Sequence, residues 1–289
     1  MPQRHPWPGP SIAPIPPKPT TALLLIHSQY AYRNTLAWGT GASNPNYEAN
    51  ISNLIAAFRT IFAATPQGAR PVIIHVQFKT VWTDSPLFTG KVGPYGIHGE
   101  EKRGIDFLEC SVPRVQRPEG PVFVYTFDEP EGPPKPDGPP RPPSDEIIMT
   151  SHGHSVFINT PLEMLLNKRG IKTLLIAGIP TDHAVSTAVR SAQNLALTGK
   201  WGGRGNMEDV ALSSLWTDGA GVYSSLDKGE GKSELAVDMP RIILVHDATR
   251  TFGKGGVDAE TVHRVHVESL KEFAEVRSTS EVIGALGQK

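Results

Sequence analysis

Short runs of Val, Ile and Leu recur along this chain with no polar face of their own. They are TALLLIH (Thr21–His27), PVIIHVQ (Pro71–Gln77), EIIMTS (Glu146–Ser151), KTLLIAG (Lys172–Gly178) and RIILVHD (Arg241–Asp247). A strand with one wet face alternates apolar and polar residues, whereas a continuous apolar run has to be covered on both sides, as in a parallel sheet. Helical spacing fills the intervals. Ile51, Leu54, Ile55, Phe58 and Phe62 mark a helix over Tyr47–Ala63. Further helices are expected over Thr160–Lys168, Thr181–Leu197, Val257–Phe273 and Ser280–Leu286, with a short sixth strand at Ala274–Arg277. Alternating strands and helices give an α/β fold, a three-layer αβα sandwich around a six-stranded parallel sheet.

Composition narrows the function classes. The 289 residues carry a formal net charge of -1 with no Lys/Arg cluster, so neither nucleic acid nor a membrane surface is an expected partner. No apolar run approaches a membrane span and no secretory leader is apparent, so a cytoplasmic location is expected. The only cysteine is Cys110, in the apolar setting FLECSV. That excludes an internal disulfide and a cysteine-based metal site, and it reads as a packed thiol rather than a nucleophile. Residues 1–20 hold eight prolines and read as an extended arm preceding a domain over 21–289. Two insertions interrupt that domain, near 78–144 and near 198–238. The first ends in a second run of eight prolines, between Glu129 and Pro143, expected to form a stiff surface loop.

The chemistry-bearing stretch is GIPTDHAVSTA, Gly178–Ala188. It follows an apolar strand and opens a helix, so unpaired backbone N–H groups of a first helical turn face outward, and Thr181 is placed to cap them. Ligands of open α/β sheets bind beyond such strand ends, where the strand order reverses.

Three motifs resemble the isochorismatase-like (cysteine hydrolase) superfamily, which includes nicotinamidases, carbamoylsarcosine amidases, ureidoacrylate amidases and isochorismatase. The first is Ile26-His27-Ser28-Gln29-Tyr30-Ala31-Tyr32 against the pattern [IV]-D-x-Q-x-x-F. The second is Ser151-His152-Gly153-His154-Ser155-Val156-Phe157-Ile158-Asn159-Thr160-Pro161-Leu162 against K-x-x-x-[ST]-[AV]-F-x-x-T-x-L. The third is the 178–188 turn against G-[IV]-A-T-D-x-C-V-x-x-T-A. The resemblance implies the strand order 3-2-1-4-5-6 and a homo-oligomer. It also implies a cis peptide at Ile179–Pro180, a bond that proline accommodates more readily than any other residue. It places His27 at the catalytic aspartate, Ser151 at the lysine and Ala184 at the nucleophilic cysteine. Pro180 removes an N–H that stabilises the oxyanion in the amidases.

A cysteine-type amidase is therefore not expected. Isochorismatase, the cousin that also lacks the thiol, implies that acid/base chemistry survives such a loss. An unperturbed histidine, pKa about 6.5, would make His27 the acid/base near neutral pH. Ser151 and His152 are its expected polar partners. Gln29, Tyr32, Trp38, Trp82, His154, Phe157, Pro180, Asp182, His183 and Ala184 are the expected lining of a pocket for a hydrophobic small molecule. Asp182 is expected to order the helix start. His152, His154 and His183 are read as polar lining rather than metal ligands, and no cofactor is expected. The leading reading is a thiol-independent enzyme for hydrolysis, elimination, isomerisation or cyclisation. The alternative is a non-catalytic module that binds a ligand or partner.

Overall fold

A computed structural model describes residues 12–33, 35–88, 102–114, 124–125, 145–203 and 239–287. The core is a parallel sheet built from β1 (Thr21–Ile26), β3 (Val72–Phe78), β5 (Glu146–Ser151), β6 (Thr173–Gly178), β7 (Arg241–Thr249) and β9 (Glu275–Arg277). These are the six expected strands, in the expected order, β5-β3-β1-β6-β7-β9. Two small features depart from expectation. A two-residue strand, β4 (Val124–Tyr125), pairs outside β5. The segment read as loop between Ser28 and Asn46 contains β2 (Thr40–Ala42), which pairs antiparallel with β8 (Phe252–Gly253) in a separate ribbon. Such short pieces leave no period for sequence reasoning to detect.

The alternation of β1 sorts the two cores. Leu23 and Leu25 pack with Ile51, Leu54 and Phe58 of α1 (Tyr47–Ala64) and with Val282 of α5 (Thr279–Ala285). Ala22, Leu24 and Ile26 pack on the other face with α2 (Leu162–Lys168), α3 (Ser186–Leu197) and α4 (Ala259–Leu270). Successive strand residues point to opposite faces, so a strand covered on both sides must be apolar throughout, which is what the sequence shows. Among the described residues no helix is long and apolar enough to cross a membrane.

The proline-rich arm is fastened where it meets the domain. Ile15 is buried and its N–H donates to Ala285 O, while the Arg241 guanidinium donates to the carbonyls of Ala13 and Pro14. The second insertion starts from an anchor, Trp201, fully buried with its indole N–H on Ile171 O at 2.9 Å. Residues 1–11, the proline run of 129–143 and most of 198–238 lie outside the described residues.

β1 lies between β3 and β6, and the chain crosses from one side of it to the other between β5 and β6. The carboxyl ends of β1 and β6 therefore form the switch point. They approach unusually closely. Gly178 pairs with Ile26 and has φ +132, and a Cβ there would sit 2.1 Å from Ile26 O and 2.6 Å from Ile26 N. Both the dihedral and the space demand glycine. Gly178→Ala is expected to cost at least about 2–3 kcal/mol. In urea denaturation the midpoint should fall without a change in slope.

Candidate functional site

The site begins where β1 ends. His27 leaves the strand with a left-handed φ of 50 and donates its backbone N–H to Val76 O at 2.9 Å. Its ring reaches over the end of β3, the intervening strand, to Ser151, the last residue of β5. His27 Nε2 and Ser151 Oγ lie 2.8 Å apart, with the two residues 1% and 0% exposed. Phe78, the last residue of β3, meets the His27 ring edge-on at 5.3 Å.

Gln29, expected to line the pocket, spends its side chain on the backbone. Its amide donates to Phe78 O and Ile105 O, both at 2.9 Å, and its carbonyl accepts from Phe78 N–H at 2.8 Å. Both hydrogens and the oxygen are engaged, so it ties the strand ends together and has no donor left for substrate.

The third motif opens at the cis Ile179–Pro180 bond. Pro180 O accepts from the N–H groups of His183 and Val185, winding Thr181–Val185 into a wide π turn before α3. Thr181 does not cap it. Its N–H donates to Arg250 O, and its buried hydroxyl finds no hydrogen-bond partner among the described residues. Asp182 does not cap the turn either. Its side chain, 6% exposed, is engaged by the Lys254 ammonium and the Thr251 hydroxyl, and His183 Nε2 stands 3.5 Å away. Ala184 is buried and its methyl joins the apolar core.

The aromatic residues divide into two groups. Tyr32 stacks on Trp38 at 4.6 Å and on Phe252 at 6.3 Å; Tyr32 and Phe252 belong to the core shared with α1 and α5, and Trp38 packs against it. Phe78, His154 and His183 form a more accessible row, with centroid separations of 6.3 Å and 5.5 Å. Three expected site residues lie apart from both. Trp82 is 72% exposed on the loop after β3. Phe157 is partly buried and packs against the core on the α2, α3 and α4 face of the sheet. The exposed His152 sets its Nδ1 3.1 Å from Lys79 O, because the chain bends after Ser151 and no strand alternation carries on into 152–154. Among the described residues no group of three or more His, Cys, Asp or Glu side chains is gathered as metal ligands would be.

Sequence reasoning missed Lys254, Thr251, Phe78 and Phe252. The fifth strand runs on to Thr249, past the expected Asp247, and the ribbon strand Phe252–Gly253 then turns Lys254 back towards the 178–188 turn. The available signal was the compact TRTFGKGG that follows the strand, a lysine set among glycines at a strand end.

Burial sets the electrostatics. It lowers the His27 pKa to about 3 from the unperturbed 6.5, with a smaller contribution from His154, so the ring is neutral at neutral pH. His183 is lowered too, by burial first and by Lys254 and His154, against the opposing pull of Asp182. Burial would by itself raise Asp182, but hydrogen bonds from Lys254 and Thr251 overcome it and hold the carboxyl below its usual range. Tyr32 is raised by burial and by Asp182, and burial pushes the Cys110 thiol up to about 12.

The His27 shift has a consequence for stability. The unfolded chain binds a proton at this side chain near pH 6.5, whereas the folded chain resists it down to about pH 3. Stability from this residue is complete above about pH 6.5 and is lost as pH falls towards 3, at up to ~1.4 kcal/mol per pH unit. Urea denaturation at pH 7 and pH 4.5 should show a larger loss for the native chain than for His27→Gln.

Comparison with known proteins agrees with this architecture. The isochorismatase domain family matches residues 21–198, more than half of the chain. The uncharacterized isochorismatase family protein YrdC of Bacillus subtilis is 28% identical over 145 residues, 48% of this chain. The chain spans about half the length of that curated relative, 54%. A Chromobacterium violaceum protein described as a hydrolase of the isochorismatase family superimposes with a TM-score of 0.58 at 21% identity, covering 96% of this chain and 98% of its own. A cysteine hydrolase from Pseudomonas syringae pv. phaseolicola gives 0.55 at 18% identity, with 97% of both chains covered. With the family match running from Thr21 through the first four of the six parallel strands, the chain belongs to the isochorismatase family.

Proposed function

We propose that this protein is a small-molecule enzyme that works without a thiol, and that the His27–Ser151 pair is its proton relay. The observation that carries the reading is the 2.8 Å contact between His27 Nε2 and Ser151 Oγ at the switch point. The family resemblance sets these two residues at the aspartate and lysine positions and sets Ala184 at the cysteine. A methyl group cannot attack a carbonyl, and Pro180 has no N–H to offer an oxyanion. Those two facts argue against a cysteine amidase.

A buried histidine of such low basicity does not carry a stored proton to the substrate. A neutral imidazole can instead act as a transient base: the nitrogen not facing Ser151 takes a proton from the substrate, Nε2–H donates to the serine hydroxyl oxygen, and the same proton is returned to the product so that the ring ends neutral. Proton transfer of this kind serves hydrolysis of an acid-labile bond, elimination, isomerisation or cyclisation. Phe78, which meets His27 and continues into His154 and His183, favours a substrate with an apolar ring. One observation favours a second reading, a non-catalytic binding module: the pair is buried in the folded chain.

Metabolite extracts incubated with the native protein and with His27→Ala separate the two readings. The enzyme reading predicts a metabolite consumed only by the native protein, with turnover falling by ~10²–10⁴-fold in His27→Ala and falling also in Ser151→Ala, both variants folded by circular dichroism. Alkylation of Cys110 should leave turnover unchanged. A metabolite retained but never converted would establish the binding module instead.

A further inference from the structure

Lys254 is not part of the relay, yet it is a cation held against the 178–188 turn. Its ammonium is engaged by Asp182 and lies 3.3 Å from His183 Nε2. An ammonium has three hydrogens and accepts nothing; Asp182 takes one, and His183 Nε2 accepts a second in the tautomer that carries its proton on Nδ1. Burial and the lysine itself both lower the His183 pKa, which disfavours the imidazolium. At most two of the three hydrogens are thereby taken. Among the described residues no other acceptor claims the third, and the Lys254 side chain is 35% exposed, open to a ligand.

Its surroundings give that ligand a shape. His183, next to Lys254, continues into His154 at 5.5 Å, and His154 into Phe78 at 6.3 Å with their planes 24° apart. Phe78 in turn meets His27 edge-on. The row of rings thus runs from the fixed ammonium at one end to the relay at the other. Asp182 neutralises the lysine, so the pair carries no net charge and binding does not require a full anion. Directional donation to an oxygen is what remains.

We infer that Lys254 is the orienting group of this site, and that its ligand is a planar ring with an exocyclic oxygen acceptor, carboxylate or carbonyl. The ring lies along Phe78, His154 and His183, and the oxygen accepts the third ammonium hydrogen. The inference rests on the proposed reading of the site as one for a small molecule. It makes Lys254 a specificity determinant, supplied from the loop after β8 rather than from the end of β5 where Ser151 stands.

Binding of simple probes tests this without turnover. Benzoate and benzamide supply the two acceptor types, and benzylamine is a ring of the same size bearing a donor cation. Ligand-observed NMR titration of the full chain should show benzoate, benzamide or both binding, with benzylamine at least about tenfold weaker. Which of the two binds more tightly distinguishes carboxylate from carbonyl. Lys254→Met should weaken the bound probe by about tenfold or more, a typical loss for a hydrogen bond to a charged group. Because that variant leaves the Asp182 carboxylate unpaired, the double variant Lys254→Met, Asp182→Asn serves as the folded control, with the same loss of binding expected.

Equal binding of benzoate and benzamide to the native chain and the double variant overturns the inference. So does a native chain that binds none of the three probes, or one that prefers benzylamine. A protein that converts a metabolite but ignores the probes leaves the relay standing and removes Lys254 from recognition. Retained turnover in His27→Ala does the reverse.

Discussion

An imidazole buried at the end of a central strand has to satisfy its nitrogens without water, and in this protein that requirement ties three strands together. His27 leaves β1 and finds Ser151 on β5, and the ring must pass over Phe78 at the end of β3 to do so. Each neighbour holds this geometry in place. Gln29 uses its whole amide to fix the backbone at Phe78 and Ile105. Gly178 lets β6 approach Ile26 closely enough that no side chain fits between them. A buried polar pair of this kind is costly if half satisfied, because the low local dielectric strengthens the bond made and penalises the bond missed. The sheet edge of the site is therefore stiff, and its ionisation is set by exclusion of water.

The opposite wall follows a different rule. Asp182 and Lys254 are a charge pair, one buried and one partly wet, and hydrogen bonds outweigh the burial that would otherwise raise the carboxyl. Removing either partner would strand the other, whereas removing both is tolerable, which is the usual asymmetry of buried ion pairs. The site thus joins a neutral wall at His27 and Ser151 to a zwitterionic one at Asp182 and Lys254, with Phe78, His154 and His183 between them. Its net charge is close to zero, in keeping with a chain whose overall charge is -1.

The architecture was legible because its signals are long and physical. Strands covered on both faces read as unbroken apolar runs, and the helical spacing of Ile51, Leu54, Ile55 and Phe58 reappears as the buried face of α1. The switch point followed from the family strand order, and His27, Ser151 and Ala184 could be placed at strand ends and the turn before any coordinates. The finer chemistry was not legible. Sequence gives the identity of His27 but not the burial that lowers its pKa, since that depends on atoms from distant segments. Gln29, Thr181 and Asp182 each carry groups suited to several roles, and only geometry shows which partner they take. Lys254 escaped notice for a related reason. It lies 72 residues from Asp182 in sequence, and a two-residue ribbon strand with no detectable period brings them together. Trp82 and Phe157 show the converse limit, because an aromatic side chain suits a pocket, a core or an open surface equally well.

The central claim is that His27 works as a neutral ring held by Ser151, and histidine-selective ¹⁵N NMR reads this directly. Two-bond ¹⁵N–¹H spectra of the native chain, with His27 assigned by substitution, distinguish a neutral tautomer from an imidazolium. Between about pH 8 and pH 4.5 the account predicts one protonated and one unprotonated nitrogen at His27, unchanged across the range, with a shift at Nε2 in Ser151→Ala. A His27 ring that takes up a second proton near pH 6.5 would contradict it.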